Sequence, residues 1–246
     1  MVDARRLVAG ALLAGASAVG VAVSLAARTA PAGAATASEA SASTLYKDAL
    51  ATTHSWSVHY DSSSTESGQT LVESGDAGPA SASQTVTMGQ GSISILVIGD
   101  ISYMKGNSDG LESLAGLSSS QASRAAGQWI EFSTDNTAFA PVVEGVRSTD
   151  IAKELALDAP LSLGKARTLD GRAVDVIDGT QTFGKKSQHV VLYVRATGTH
   201  VPVEEDSVNA KGQHTDAEHI IYSKWGEQVR PTAPRATISV GSISAV

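Results

Sequence analysis

The stretch Ser92–Asn107, SISILVIGDISYMKGN, decides the fold. Ile93, Ile95 and Val97 fall on one face of an extended chain, with Ser92, Ser94, Leu96 and Ile98 on the other. Gly99-Asp100 is a two-residue turn signal, and Ile101–Lys105 is again β-branched and aromatic, so the stretch reads as a hairpin. It is the most apolar stretch after the N-terminal leader, which puts it at the centre of a sheet.

Outward from this hairpin the pattern stays β-rich. Upstream, Trp56, Val58 and Tyr60 alternate with Ser57, His59 and Asp61. Ser62–Gly68 reads as a polar connection, Thr70–Glu73 as a modest strand, Gly75–Pro79 as a turn and Gln84–Met88 as a further strand. Downstream comes a helical insert: Leu111, Leu114 and Leu117 sit at i, i+3 and i+6, and Ser119–Ala126 is stopped by Gly127. Trp129–Phe132 is a short strand, and Ser148–Asp150 can cap a helix carrying Ile151 and Leu155 that Pro160 ends.

The last third returns to sheet. Lys165–Leu169 and Arg172–Asp178 around Asp170-Gly171 form the strongest hairpin signal in the chain. Gln188–Thr197 alternates Val190, Leu192 and Val194 against Val191 and Tyr193. Val201–Asn209 and Gln213–Tyr222 form another pair around Lys211-Gly212. Strands come in runs and helices are few, so the class is α+β with an antiparallel sheet rather than βαβ winding.

At the N-terminus, Arg5-Arg6 precedes the uncharged run Leu7–Leu25, and Ala32-Gly33-Ala34 supplies small-x-small. This predicts a secretory signal peptide over 1–34, with cleavage after Ala34, in place of an uncleaved anchor. Ala35–Ser43 reads as a flexible tether, a short helix spans Thr44–Thr52, and 44–246 form one domain.

Charge narrows the partners. The chain of 246 residues has a formal net charge of −7. Removing the leader, where Arg5, Arg6 and Arg28 stand against Asp3, leaves 15 basic and 24 acidic residues. Such a surface repels phosphate backbones, so nucleic acid is not an expected partner. The sequence contains no cysteine, which removes disulfides, thiolate metal sites and cysteine nucleophiles.

Catalytic patterns are sparse. Gly106-Asn107-Ser108-Asp109-Gly110 spells G-x-S-x-G after a strand, but a nucleophile elbow belongs on a parallel α/β sheet, and Asn-Ser-Asp-Gly is also turn chemistry. Ser162-Leu163-Gly164-Lys165 matches S-x-x-K without its partner motifs. His214, Asp216 and Glu218 would share a strand face, with His219 on the other, and a solvated face is preferred to a metal site. No catalytic residue, metal or cofactor is expected.

Five segments, in order, resemble the LolA-like lipoprotein family of mycobacteria and their relatives, the LprG and LppX type. Ile101–Gly106 is similar to its strand ending in Tyr-x-Lys-Gly, and Gly127–Ile130 to its Gly-x-Trp-Val segment. Leu169–Val174 resembles its central hairpin, Leu192–Val194 with Thr197–Pro202 its strand and Pro-bearing turn, and Tyr222–Gly226 with Pro231 and Pro234 its closing segment. The resemblance implies a curved antiparallel half-barrel with a few helices closing its concave face, and an apolar cavity for acyl chains. Ile93, Ile95, Val97, Val190, Leu192 and Val194 are the expected inward residues, as cavity lining or as ordinary core. Family members carry a lipobox cysteine that this sequence lacks.

The first reading is therefore a secreted, extracytoplasmic, monomeric and non-catalytic carrier for a lipid or other amphiphile. The second is an extracytoplasmic sensor or interaction module on the same scaffold, with an envelope protein as partner. A serine hydrolase working through Ser108 is the third.

Overall fold

The computed structural model describes residues 32–66, 68–183, 186–209 and 218–244. A long helix, α1 (Ala32–Ser55), leads into the strands β1 (Val58–Glu66), β2 (Gln69–Ala77), β3 (Ser81–Met88), β4 (Gly91–Ile98) and β5 (Ile101–Gly106). Two short helices, α2 (Ser108–Ser113) and α3 (Ser119–Ala125), precede β6 (Ile130–Ser133). Two more, α4 (Ala140–Val143) and α5 (Ser148–Glu154), lead to β7 (Asp158–Leu163) and β8 (Arg167–Leu169). The strands β9 (Arg172–Phe183), β10 (Lys186–Arg195), β11 (Pro202–Asn209) and β12 (Glu218–Ser223) follow, then β13 (Ile238–Ser239) and α6 (Val240–Ser244).

The described strands form one sheet in the order β13-β6-β5-β4-β3-β2-β1-β12-β11-β10-β9-β7, with β8 also on β9. Two meanders, β1 to β6 and β9 to β12, are joined where β1 pairs with β12, from His59 opposite Ser223 to Ser64 opposite Glu218. The described pairings are antiparallel apart from β13 on β6. The result is the expected α+β class: a curved, unclosed antiparallel sheet with its helices on the concave face.

Local chemistry explains the turns. Gly99 has φ +60° between β4 and β5, as the first position of a II′-type loop requires. Asp170 (φ +47°) and Gly171 (φ +76°) both occupy the left-handed region, which fits a type I′ turn between β8 and β9. α3 begins with a full capping box, Ser118 and Gln121 each bonding the other's backbone.

Several boundaries differ from the sequence reading. The expected tether at 35–43 is helical, because α1 starts at Ala32 and runs through the short helix expected at Thr44–Thr52. Ser62–Gly68 is not a connection: β1 continues to Glu66, paired with β2 throughout and with β12 as far as Ser64. Ladder bonds from two neighbours outweigh the low strand propensity of its Ser/Thr run. Gly75 lies inside β2, and the turn falls at Gly78–Ala80. Residues 1–31 of the expected 1–34 leader and the Lys211-Gly212 turn, with His214 and Asp216, lie outside the described residues.

Besides a small cluster of Val174, Val176 and Tyr193, the core divides into two larger clusters under the helices. One cluster packs α2, α3 and α4 against β3 to β6 through Leu111, Ala122, Val142, Ile95, Met104 and Ile130. The other packs α1 and α5 against β1 and β9 to β12 through Tyr46, Ala49, Leu155, Ile177, Leu192 and Ile220. Tyr46 ties the second roof together: its hydroxyl donates to the Leu155 carbonyl at 2.8 Å and accepts from the Leu157 N–H at 2.6 Å. Burial pushes its phenol above the ordinary tyrosine pKa. Tyr46→Phe removes both bonds and leaves a buried N–H and C=O to find new partners. We expect a loss of about 1–3 kcal/mol, read as a lower denaturant midpoint at unchanged slope; an unchanged midpoint would show that these bonds do not hold the helix down.

Candidate functional site

Register places every second residue of each strand on the concave face, and the partners opposite it follow across the sheet. One row runs Ile130, Met104, Ile95, Gln84, Gly75, Tyr60, Tyr222. The next runs Gly106, Ile93, Val86, Glu73, Ser62, Ile220, Glu205, Leu192, Ile177. A third runs Gly91, Met88, Leu71, Ser64, Glu218, Ser207, Val190, Gly179. Polar residues interrupt each row: Gln84 in the first, Glu73, Ser62 and Glu205 around the apolar Ile220 in the second, and Ser64, Glu218 and Ser207 in the third. A polar belt therefore crosses β3, β2, β1, β12 and β11 between the two apolar clusters.

The belt is covered. Ser62, Glu73, Gln84, Glu205 and Ser207 are each no more than 5% exposed. Ser62 Oγ donates to Glu73 Oε2 at 3.3 Å, and the Tyr222 hydroxyl donates to Glu205 Oε2 at 3.1 Å. Tyr60 lies flat over Gly75, where a Cβ would stand 2.8 Å from the phenol oxygen and 2.6 Å from the Ser83 carbonyl. The ring occupies space that only glycine leaves open. At the far end, Gln181 donates to the Glu154 carbonyl and accepts from Gln188 at 3.1 Å.

All six apolar residues expected inward are buried on this face, but they do not form one group. Ile93, Ile95 and Val97 belong to the first cluster, Leu192 and Val194 to the second. Val190 is fully buried outside both, in the row of Ser207 and Gly179. The belt itself escaped the sequence reading. Its one signal is that Glu73 shares the face of Leu71 while Val72 points out, 45% exposed, which inverts the usual alternation.

The G-x-S-x-G stretch has a structural use. Asn107 caps α2, its Oδ1 accepting from Gly110 N at 2.7 Å and Ser92 N at 3.0 Å, while its Nδ2 donates to the Gln90 carbonyl at 2.7 Å. Gly110 packs directly on the Ser92 backbone. Ser108 Oγ faces Ser123 Oγ at 3.4 Å, which is no general base.

On the convex face, Glu204, Asp206 and His219 bring donor atoms within 4.8 Å of one another, while Glu218 points to the concave side. His219 Nδ1 and Asp206 Oδ1 meet at 2.7 Å, so a His–carboxylate hydrogen bond accounts for the ring's orientation. Burial, then the neighbouring Asp206 carboxylate, raises the Glu204 pKa.

No family model and no curated protein matches the sequence. Among solved structures, the chain is similar to LprF from Mycobacterium bovis, with a TM-score of 0.52 and 13% identity over 79% of this chain and 97% of that one. It is similar to the lipoprotein LppX of Mycobacterium tuberculosis, with a TM-score of 0.50 and 17% identity over 78% of this chain and 99% of that one. The chain therefore has the LolA-like half-barrel fold of the LprG and LppX type.

The raised Glu204 pKa fixes a sign. Folding holds this proton more tightly than the unfolded chain does, so the stability it contributes is present at acid pH and lost as pH rises through the folded pKa. Compared with Glu204→Gln, the wild-type melting temperature should fall further between pH 4 and pH 7. Parallel curves for the two proteins would contradict this.

Proposed function

We propose that the protein is an extracytoplasmic, non-catalytic carrier that takes an amphiphile between its helices and the concave face of its sheet. The observation that supports this best is the divided core: two apolar clusters on one curved sheet, roofed by separate helices. The helices over the first cluster, α2 to α4, have 4 to 7 residues each. Each buries only a few side chains, so one can lift without unfolding the sheet. Acyl chains would enter there and replace protein side chains as neighbours of Ile93, Ile95 and Val97. An acidic exterior keeps such a carrier soluble and away from anionic surfaces. Export would follow from the N-terminal leader, with the mature chain starting at Ala35. Among the described residues no helix is long and apolar enough to cross a membrane.

Native mass spectrometry of the exported protein, with organic extraction alongside, tests the reading. A discrete added mass recovered as lipid is the expected result. An apo protein that also takes up no lipid on incubation would overturn it, and partner capture would then be the appropriate next measurement. N-terminal sequencing of the same sample should begin at Ala35. Fluorophosphonate labelling at Ser108 should be absent; labelling would revive the hydrolase reading.

Val190 separates lining from packing. It is fully buried and faces only Ser207 and Gly179 across the sheet. If chains occupy this row, Val190→Trp fills their space and lowers lipid uptake about tenfold with little loss of stability. If the row is solid core, the larger ring instead destabilises the fold by about 1–3 kcal/mol, and uptake falls only with the folded fraction.

A further inference from the structure

The polar belt is an odd lining for a face meant to hold hydrocarbon alone. Glu73 and Glu205 each keep a carboxylate in the sheet's interior, where apolar residues would cost nothing in desolvation. Glu218 and Ser64 extend the belt into the third row, and Tyr60, Gln84 and Ser62 flank it. Across β3 to β11 the belt covers four strand spacings, about 19 Å along the curved surface.

One atom points to a ligand. Ser207 is 2% exposed, and its Oγ has no hydrogen-bond partner among the described residues. It sits opposite Glu218 on one side and Val190 on the other, two residues beyond Glu205 on the same face. A serine hydroxyl both donates and accepts and can rotate to suit its partner, so leaving it unmet in the interior is unfavourable. A valine or alanine would fill the position without that penalty.

The chemistry of the belt limits what can meet it. Glu73 and Glu205 act as acceptors here, from Ser62 and from Tyr222. A phosphate or carboxylate head would set acceptor oxygens against acceptor oxygens. An ammonium would bring donors to those oxygens and to Ser207 Oγ, and a set of hydroxyls would bring donors to the carboxyl oxygens and either a donor or an acceptor to Ser207. Apolar limbs attached to such a head can run to either side, into the clusters around Ile95 and around Leu192.

We infer that the concave face selects amphiphiles whose head donates hydrogen bonds and carries no negative charge, an amine or a polyol. The head rests on Glu73, Glu205 and Ser207, and the apolar limbs lie in the flanking clusters. This deepens the carrier reading and rests on it.

Displacement of the neutral fluorophore N-phenyl-1-naphthylamine tests both levels on the mature protein. Oleylamine, monoolein and oleate share one chain length and differ in the head. Oleylamine or monoolein should displace the probe about tenfold better than oleate, the weight of one charge-assisted hydrogen bond. Which of the two leads tells an ammonium site from a hydroxyl site. Glu73→Gln, Glu205→Gln and Ser207→Ala should each shrink the ratio to oleate several-fold. Ser207→Ala removes a hydroxyl with no internal partner to lose, so a folded variant is available even if a glutamate variant fails to fold. Equal displacement by all three heads, or an unchanged ratio in Ser207→Ala, would overturn the selectivity and leave the carrier reading standing. No uptake of the probe at all would overturn both.

Discussion

The pairing of β1 with β12 is the constraint on which the rest of the molecule depends. β1 follows the first helix and β12 comes late in the chain, yet they lie side by side from His59–Ser223 to Ser64–Glu218. Without this ladder the protein would be two meanders, each ending in an unpaired edge. With it, the sheet is continuous from β13 to β7 and long enough to curl into a trough. Closing so long a loop costs chain entropy, but that cost grows only logarithmically with length. A two-sided ladder of main-chain bonds can meet it even in a run as polar as Ser62–Ser64.

The same seam sets the chemistry of the concave face. Tyr60 stands opposite Gly75 on one neighbour and Tyr222 on the other, and Ser62 stands opposite Glu73 and Ile220. Glu205 is then one strand further, bonded to Tyr222. The polar groups that separate the two apolar clusters are therefore gathered by the seam, from strands distant in sequence. Either meander alone would carry only half of the belt.

That arrangement explains what could and could not be read from the sequence. The hairpins at Gly99-Asp100 and Asp170-Gly171 are local events, governed by which residues tolerate positive φ, and they stand where the sequence puts them. The inward direction of Ile93, Ile95 and Val97 follows from period-two alternation in a strongly apolar strand. Where alternation is weak, local rules fail. Ser62–Glu66 has no apolar face to mark it as a strand, and its place depends on β2 along its length and on β12 as far as Ser64. Glu73 and Val72 invert the expected faces, because Glu73 answers to Ser62 on the neighbouring strand β1. In Glu204-Glu205-Asp206 nothing in the local sequence says which carboxylate turns inward. The long first helix escapes periodicity for a different reason: its Ala/Ser run has small side chains and carries no apolar stripe, although Ala is a strong helix former, and the docking of Tyr46 on Leu155 and Leu157 anchors its end.

A belt of buried polar groups across a core lowers stability relative to an apolar one, and natural sheets retain such groups where they serve something else. Here the consequence is mechanical as well as chemical. The belt interrupts the packing between the cluster under α2 to α4 and the cluster under α1 and α5, so the two roofs have few apolar contacts in common. Opening one does not require breaking the other. The sheet beneath, held by continuous ladders, supplies the rigid half of the trough, and the short helices supply the half that can yield. A fold organised this way can change what lies against its concave face while keeping its register. That is the physical requirement a carrier must meet and a fully packed structural module need not.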